Sequence, residues 1–198
     1  MPEIGRRGFA LGALAAGAAL AVRSSPLSAA AEPALKPMTG DVAPIGTAER
    51  LERLAKAQRL MRRLGLGAIL IEPGASLDYF TGVQWWRSER LTAALIPAQG
   101  EPVIFTPFFE EPSVRESLKV PAEVRTWVEH EDPLKLVAGA LRDRGLAGRP
   151  VGIEETVRFF AVDGLRKAMP GIELRSGAPV VRGCRMIKSL AELRLMQK

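Results

Sequence analysis

The sequence has few of the residues on which most enzyme chemistry depends. Of its 198 residues, one is a cysteine, one a histidine and one a tyrosine. The lone Cys184 excludes an internal disulfide and any cysteine-rich zinc site. A reactive thiol also needs a base beside it, so Cys184 reads as a buried structural residue. The lone His130 lies in Trp127-Val128-Glu129-His130-Glu131-Asp132, which is rich in metal-ligating types. Adjacent side chains diverge, however, and no second histidine exists to complete a site. This stretch reads as a strand-to-helix loop in which Asp132 caps the helix. There is no Gly-x-Gly-x-x-Gly and no Gly-x-x-x-x-Gly-Lys, so the nucleotide-binding fingerprints are absent. There is no Gly-x-Ser-x-Gly elbow for a serine nucleophile. The adjacent carboxylates Glu110-Glu111 and Glu154-Glu155 read as element ends rather than as an acid–base pair. The net charge of +6 is scattered among acids, with no Lys/Arg block or aromatic–basic stripe, so no nucleic-acid partner is expected. The longest apolar run, Ala10 to Val22, is shorter than the about 20 residues a spanning helix needs, so no stable membrane anchor is expected.

What the front of the chain does have is an address. Arg6 and Arg7 precede Phe9 and the weakly apolar, Ala- and Gly-rich run, and Ala29-Ala30-Ala31 then fits a small-residue cleavage site before Glu32. Residues 1–31 therefore read as a signal peptide. The paired arginines indicate the twin-arginine route and a periplasmic or extracellular location in a bacterium. That route carries folded proteins, and a chain without disulfide-forming cysteines suits folding before export. Residues 32–46, rich in Pro and Gly, read as a linker.

The remainder has apolar content for a core: 47% of the whole sequence is hydrophobic and 25% charged. Residues 47–66 predict a helix capped by Thr47. Its inner stripe is Leu51, Leu54, Ala57 or Gln58, Met61 and Leu64, with the arginines outside. Residues 68–72 predict a buried strand, and 74–82 a turn, a short helix and a glycine stop. Two strands follow around Gln99-Gly100 as a hairpin. After them come a helix over 110–118, a strand over 123–129 and a helix over 132–146 opened by Asp132-Pro133. The last elements are a strand near 150–155, a helix over 157–170 and a strand over 172–177. Alternation of strands and helices predicts an α/β fold with a mixed, mostly parallel sheet and helices on both faces. Ser189 stands three residues before Glu192, the spacing of a capping box, so a final helix opens there.

One stretch has the composition of a recognition surface. Residues 79–90, Tyr-Phe-Thr-Gly-Val-Gln-Trp-Trp-Arg-Ser-Glu-Arg, place Tyr79, Trp85, Trp86, Arg87 and Arg90 around a glycine stop. Such side chains bury large area and keep polar handles. Trp85 and Trp86, if extended, face opposite ways, so one packs inward while the other faces a partner or substrate.

Several of these pieces together resemble the N-terminal domain of the Xaa-Pro peptidase, prolidase and creatinase family. They are Leu64-Gly65-Leu66-Gly67-Ala68-Ile69-Leu70-Ile71-Glu72, Tyr79-Phe80-Thr81-Gly82, Val151-Gly152-Ile153-Glu154-Glu155 and Arg185-x-Ile187-Lys188-Ser189-x-x-Glu192-Leu193. Ser76 stands where the family usually has Asn. The resemblance covers residues 47–198. It implies a creatinase/prolidase-type N-terminal domain over 47–188. It also implies a helix from 189 to 198 that leads into a catalytic domain this chain does not contain. In the family that second domain has the pita-bread fold and holds two divalent metal ions on two Asp, one His and two Glu. On this reading the chain carries no metal and no catalytic residue, and is the truncated front part of an exported metallohydrolase. The front domain would shape the substrate entrance and supply contacts to its own catalytic domain and a neighbouring subunit of a homo-oligomer. The implied substrate is a peptide with proline second. Tyr79, Trp85, Trp86, Arg87 and Arg90 are the candidates for facing substrate or partner. A standalone periplasmic binding module, or the front of a creatinase-like amidinohydrolase, is the alternative.

Overall fold

Four consecutive apolar residues, Ala68–Ile71, form β1, and each is buried. A strand buried on both faces requires cover on both sides, and the topology supplies it. The computed structural model describes residues 40–198. The signal peptide expected over 1–31, and most of the linker after it, lie outside the described residues.

The sheet has six strands: β1, β2 (Ala93–Pro97), β3 (Val103–Pro107), β4 (Glu123–Trp127), β5 (Val151–Ile153) and β6 (Leu174–Ser176). Their order is β4-β3-β2-β1-β5-β6. The β2–β3 hairpin is antiparallel, as is β1 against β2, whereas β1–β5, β3–β4 and β5–β6 are parallel. Only β2 therefore runs against the rest, and the carboxyl ends of the other five strands share one edge. The mostly parallel sheet expected from the alternating pattern is what the chain forms.

Helices cover both faces. On one side lie α1 (Thr47–Arg63), α2 (Ala75–Thr81), α3 (Glu111–Ser117) and α6 (Ala178–Arg185), packed on Ile69, Ile71, Ala94, Ile96 and Ile104. On the other, α4 (Pro133–Asp143) and α5 (Phe159–Ala168) pack on Ala68, Leu70, Leu95, Val103 and Phe105. The residues alternate between faces as the two-residue strand period requires. Each fully buried Leu, Ile or Phe contributes about 1.5–3 kcal/mol by removal from water. A last helix, α7 (Leu190–Met196), opens at Ser189 with the predicted capping box: Ser189 N donates to Glu192 at 2.9 Å and Glu192 N to Ser189 at 3.2 Å. No helix among the described residues is long and apolar enough to cross a membrane.

Three readings of the sequence change. Thr47 does not cap α1: it is the first helical residue, and the cap position is Gly46, without a side-chain hydrogen bond. The arginines of α1 are not all outside, since Arg50 and Arg53 are buried while Leu51 and Leu64 are exposed. The inner stripe of Leu54, Ala57 and Met61 continues to Arg50 at the end where α1 meets the carbonyl end of α2 rather than apolar side chains. The third is α6, which had no predicted counterpart. Pro179 in its first turn is the signal that marks its start.

Candidate functional site

Two parallel neighbours, β1 and β5, each end in a glutamate. Glu72 follows Ile71, Glu154 follows Ile153, and both carboxylates are buried. The carboxyl edge of a parallel sheet is where such folds place their clefts. Here Ser76, buried in the first turn of α2, donates to Glu154 Oε1 at 3.0 Å. The other oxygen of Glu154 accepts from Thr156 N at 2.7 Å and from Thr156 Oγ1 at 2.6 Å. Arg185, at the end of α6, donates to Ser76 Oγ at 3.0 Å. The serine hydroxyl thus sits between a carboxylate and a guanidinium. β5 and the start of α6 approach closely: a Cβ on Gly177 would lie 3.0 Å from the Ile153 carbonyl oxygen.

Above this group runs the loop from Gly82 to Thr92. Gly82 ends α2 with φ 85°, a left-handed conformation that glycine adopts freely. Arg87 anchors the loop, donating from Nε to the Pro73 carbonyl at 3.2 Å and from Nη2 to the Thr156 carbonyl at 2.7 Å. The two tryptophans divide as their adjacency predicts. Trp85 packs against the core, and Trp86 is 91% exposed. Ser76, Glu154, Arg185, Trp85, Trp86 and Arg87 together line a cleft of about 400 Å³. Both tryptophans also line an adjoining cleft of about 330 Å³ with Asp78 and Gln84.

The arrangement can bind. The proton of Ser76 is committed to Glu154, and every oxygen of Glu154 is engaged, so neither is poised as nucleophile or base. The Arg185 side chain makes one hydrogen bond, to a neutral hydroxyl. Its charge and the aromatic walls make the cleft suited to a ligand with an anionic or carbonyl end and an apolar body. Among the described residues no group of three or more His, Cys, Asp or Glu could hold a metal ion. His130 is exposed beside Glu131, Asp132 and Lys135, with Asp132 capping α4 as predicted.

The structure does not bring all five candidate residues together. Trp85, Trp86 and Arg87 share the cleft. Arg90 turns away to Glu129 at 2.7 Å and lies over Phe109. Tyr79 belongs to a second cluster, between α1 and α7. Its hydroxyl donates to the Cys184 carbonyl at 3.0 Å, and the Arg53 guanidinium lies 4.0 Å over its ring. Burial pushes the Tyr79 phenol up to about 12, against the opposing pull of Arg53. Arg53 also donates to the Tyr79 carbonyl at 3.1 Å and pairs with Glu192 at 3.3 Å. Arg50 bonds the Asp78 and Tyr79 carbonyls and the Asp78 carboxylate. These two arginines bond carbonyls in the last turn of α2, Tyr79's and, beside its bond from Gly82 N, Asp78's, which explains their burial. Burial likewise raises the Cys184 thiol pKa, partly offset by Lys56 and Arg59.

Ser76, Glu154 and Arg185 were not among the site candidates from sequence. The available signal was the repeated apolar-apolar-Glu ending of two strands, Leu70-Ile71-Glu72 and Gly152-Ile153-Glu154, which becomes one edge once the strands are known to be parallel neighbours.

Comparison with known proteins agrees with this fold. The sequence pattern of the Creatinase/Prolidase N-terminal domain matches residues 53–187. The chain is similar to the solved structure of dipeptidase PepE from Mycobacterium ulcerans, with 33% identity and a TM-score of 0.67 over 77% of this chain and 40% of that one. It is similar in fold to the N-terminal domain of Xaa-Pro dipeptidase from Lactobacillus brevis, with 18% identity and a TM-score of 0.61 over 68% of this chain and 99% of that one. The Mycobacterium tuberculosis protein named "Probable dipeptidase PepE" is 32% identical over 149 residues, which are 74% of this chain and 38% of that protein. The chain thus spans about two fifths of the length of the two PepE dipeptidases.

Proposed function

Because the chain belongs to the creatinase/prolidase N-terminal domain family, we propose that it is the non-catalytic front domain of an exported Xaa-Pro dipeptidase- or aminopeptidase-like metallohydrolase, where it shapes the substrate entrance and supplies oligomer contacts. The observation that carries this reading is the convergence of Glu154 and Arg185, from two separate family motifs, with Ser76, which stands where the family usually has Asn, on one cleft walled by Trp85 and Trp86. In the reading, Trp86 and Arg87 face the peptide, and Arg185 offers a cation to its polar end.

Hydrolysis itself belongs to a domain that follows α7. In this reading the two divalent ions that the family resemblance implies belong to that domain. The apolar flank of α7 supports a following domain: Ile187, Leu190 and Met196 are 78%, 74% and 68% exposed. Export by the twin-arginine route is supported by Arg6, Arg7 and Ala31 in the sequence. Oligomer contact is supported by Trp86, Phe108 and Phe159, large apolar side chains exposed near the carboxyl edge of the sheet.

The test is the intact mass and N-terminal sequence of the exported protein from its native host. A mature chain that begins at Glu32, has a mass well above that of residues 32–198, and cleaves Xaa-Pro dipeptides only with divalent metal supports the reading. A mass equal to residues 32–198 with no peptidase activity overturns it in favour of a standalone binding module.

A further inference from the structure

Glu72 is the deepest charged side chain among the described ion pairs, with its carboxylate fully buried. A buried carboxylate needs partners to offset its lost hydration. Its recorded partners all come from one residue, 86 positions away. Arg158 donates to it from its backbone N at 2.6 Å, from Nε at 3.0 Å and from Nη2 at 2.7 Å. The remaining arm of the same guanidinium, Nη1, reaches outward and bonds the Ser88 carbonyl. Phe160 flanks it, with the guanidinium carbon 4.6 Å from the ring centroid. The planar fork of arginine makes this bridging possible. Two arms meet the carboxylate while the third holds a backbone oxygen in a fixed direction.

Ser88 lies two residues after Trp86, in the loop whose other anchor is Arg87 on Pro73 and Thr156. All of these fastenings lead back to the ends of β1 and β5. We propose that Glu72 is a positioning residue: through Arg158 it sets the Trp85–Ser88 segment, and hence the stance of Trp86 over the cleft. The cleft's place at the substrate entrance rests on the function proposed above, but the mechanical link from Glu72 to the loop does not.

Limited trypsinolysis of the chain tests the link, with the Arg87–Ser88 bond read by mass spectrometry and the Arg63–Leu64 bond as the reference. In the native loop the Arg87 side chain is engaged and resists the protease. In Glu72→Gln the carboxylate charge is lost, the Arg158 fork is released, and cleavage after Arg87 rises about tenfold or more while cleavage after Arg63 is unchanged. Arg158→Lys serves as the second variant. Its ammonium keeps the ion pair with Glu72 but cannot also span to Ser88, so it also speeds cleavage after Arg87 selectively. Unchanged cleavage after Arg87 in both variants overturns the proposal, and so does a rise that Arg63 shares equally, since that reports general loosening. Peptide kinetics do not enter this experiment. A Trp86 variant with normal peptide handling would overturn the entrance role and leave the loop result standing.

Discussion

Ser76 and Glu154, 78 residues apart in sequence, meet at 3.0 Å in the buried edge between α2 and β5. This contact joins the turn after β1 to the turn after β5, and Arg185 closes it from α6. It is the point where the front, middle and end of the domain are tied together. Its contribution to stability is therefore measurable.

Ser76→Ala removes the donor to a buried carboxylate and the acceptor for Arg185. Leaving a buried acceptor unpaired costs about 1–3 kcal/mol. Urea unfolding should show the midpoint fall with the slope unchanged.

Arg53 is the second prediction. It is buried, pairs with Glu192 and holds a carbonyl at the end of α2. Arg53→Ala leaves the Tyr79 carbonyl only its longer bond from Arg50 and leaves Glu192 only the Ser189 N–H, and should destabilise the domain by about 1–3 kcal/mol. It should also loosen α7, read as faster amide exchange over Leu190–Met196, beyond the change in the β1 strand.

Tyr79 gives a pH dependence with a definite sign. Its phenol is pushed from an ordinary value of 10.0 to about 12 by burial. The folded state therefore binds its proton more tightly than the unfolded state. The associated stability is complete below pH 10 and is lost as pH rises towards about 12. Because the sequence holds one tyrosine, an ultraviolet titration reads this group alone. It should ionise late in the folded chain and near its ordinary value in urea. Tyr79→Phe should remove the tyrosine-linked part of the alkaline loss of stability.

Cys184 should be inert in the folded chain. The side chain is buried, and burial raises its thiol pKa, which lowers the thiolate available for reaction. A thiol reagent should modify it slowly in buffer and rapidly in urea, with one equivalent consumed, because it is the single cysteine.

The sequence made the sheet legible because the strong signals were local. The continuous apolar run of β1, the Gln99-Gly100 turn, Asp132-Pro133 before α4 and the Ser189–Glu192 box each specify their element without help from distant residues. The loop was legible by composition, and the opposite facing of Trp85 and Trp86 followed from adjacency alone. What was not legible depended on tertiary partners. Arg50 and Arg53 have the residue type of a solvated face, yet they are buried because α2 ends against them. Glu72 and Glu154 look like polar ends of strands, and only parallel pairing of β1 with β5 places them on one edge. Tyr79 and Trp86 belong to one short stretch of sequence, but the stop at Gly82 sends them to different clusters.

Trp86 carries the central claim, since it is almost wholly exposed and its removal should leave stability within about 0.5 kcal/mol. The most direct test is the steady-state hydrolysis of an Xaa-Pro dipeptide by the protein from its native host, compared with its Trp86→Ala variant. The account predicts metal-dependent hydrolysis in both, with KM raised about tenfold and kcat nearly unchanged in the variant, as expected for lost binding at the entrance. Identical KM and kcat in the two proteins would contradict it.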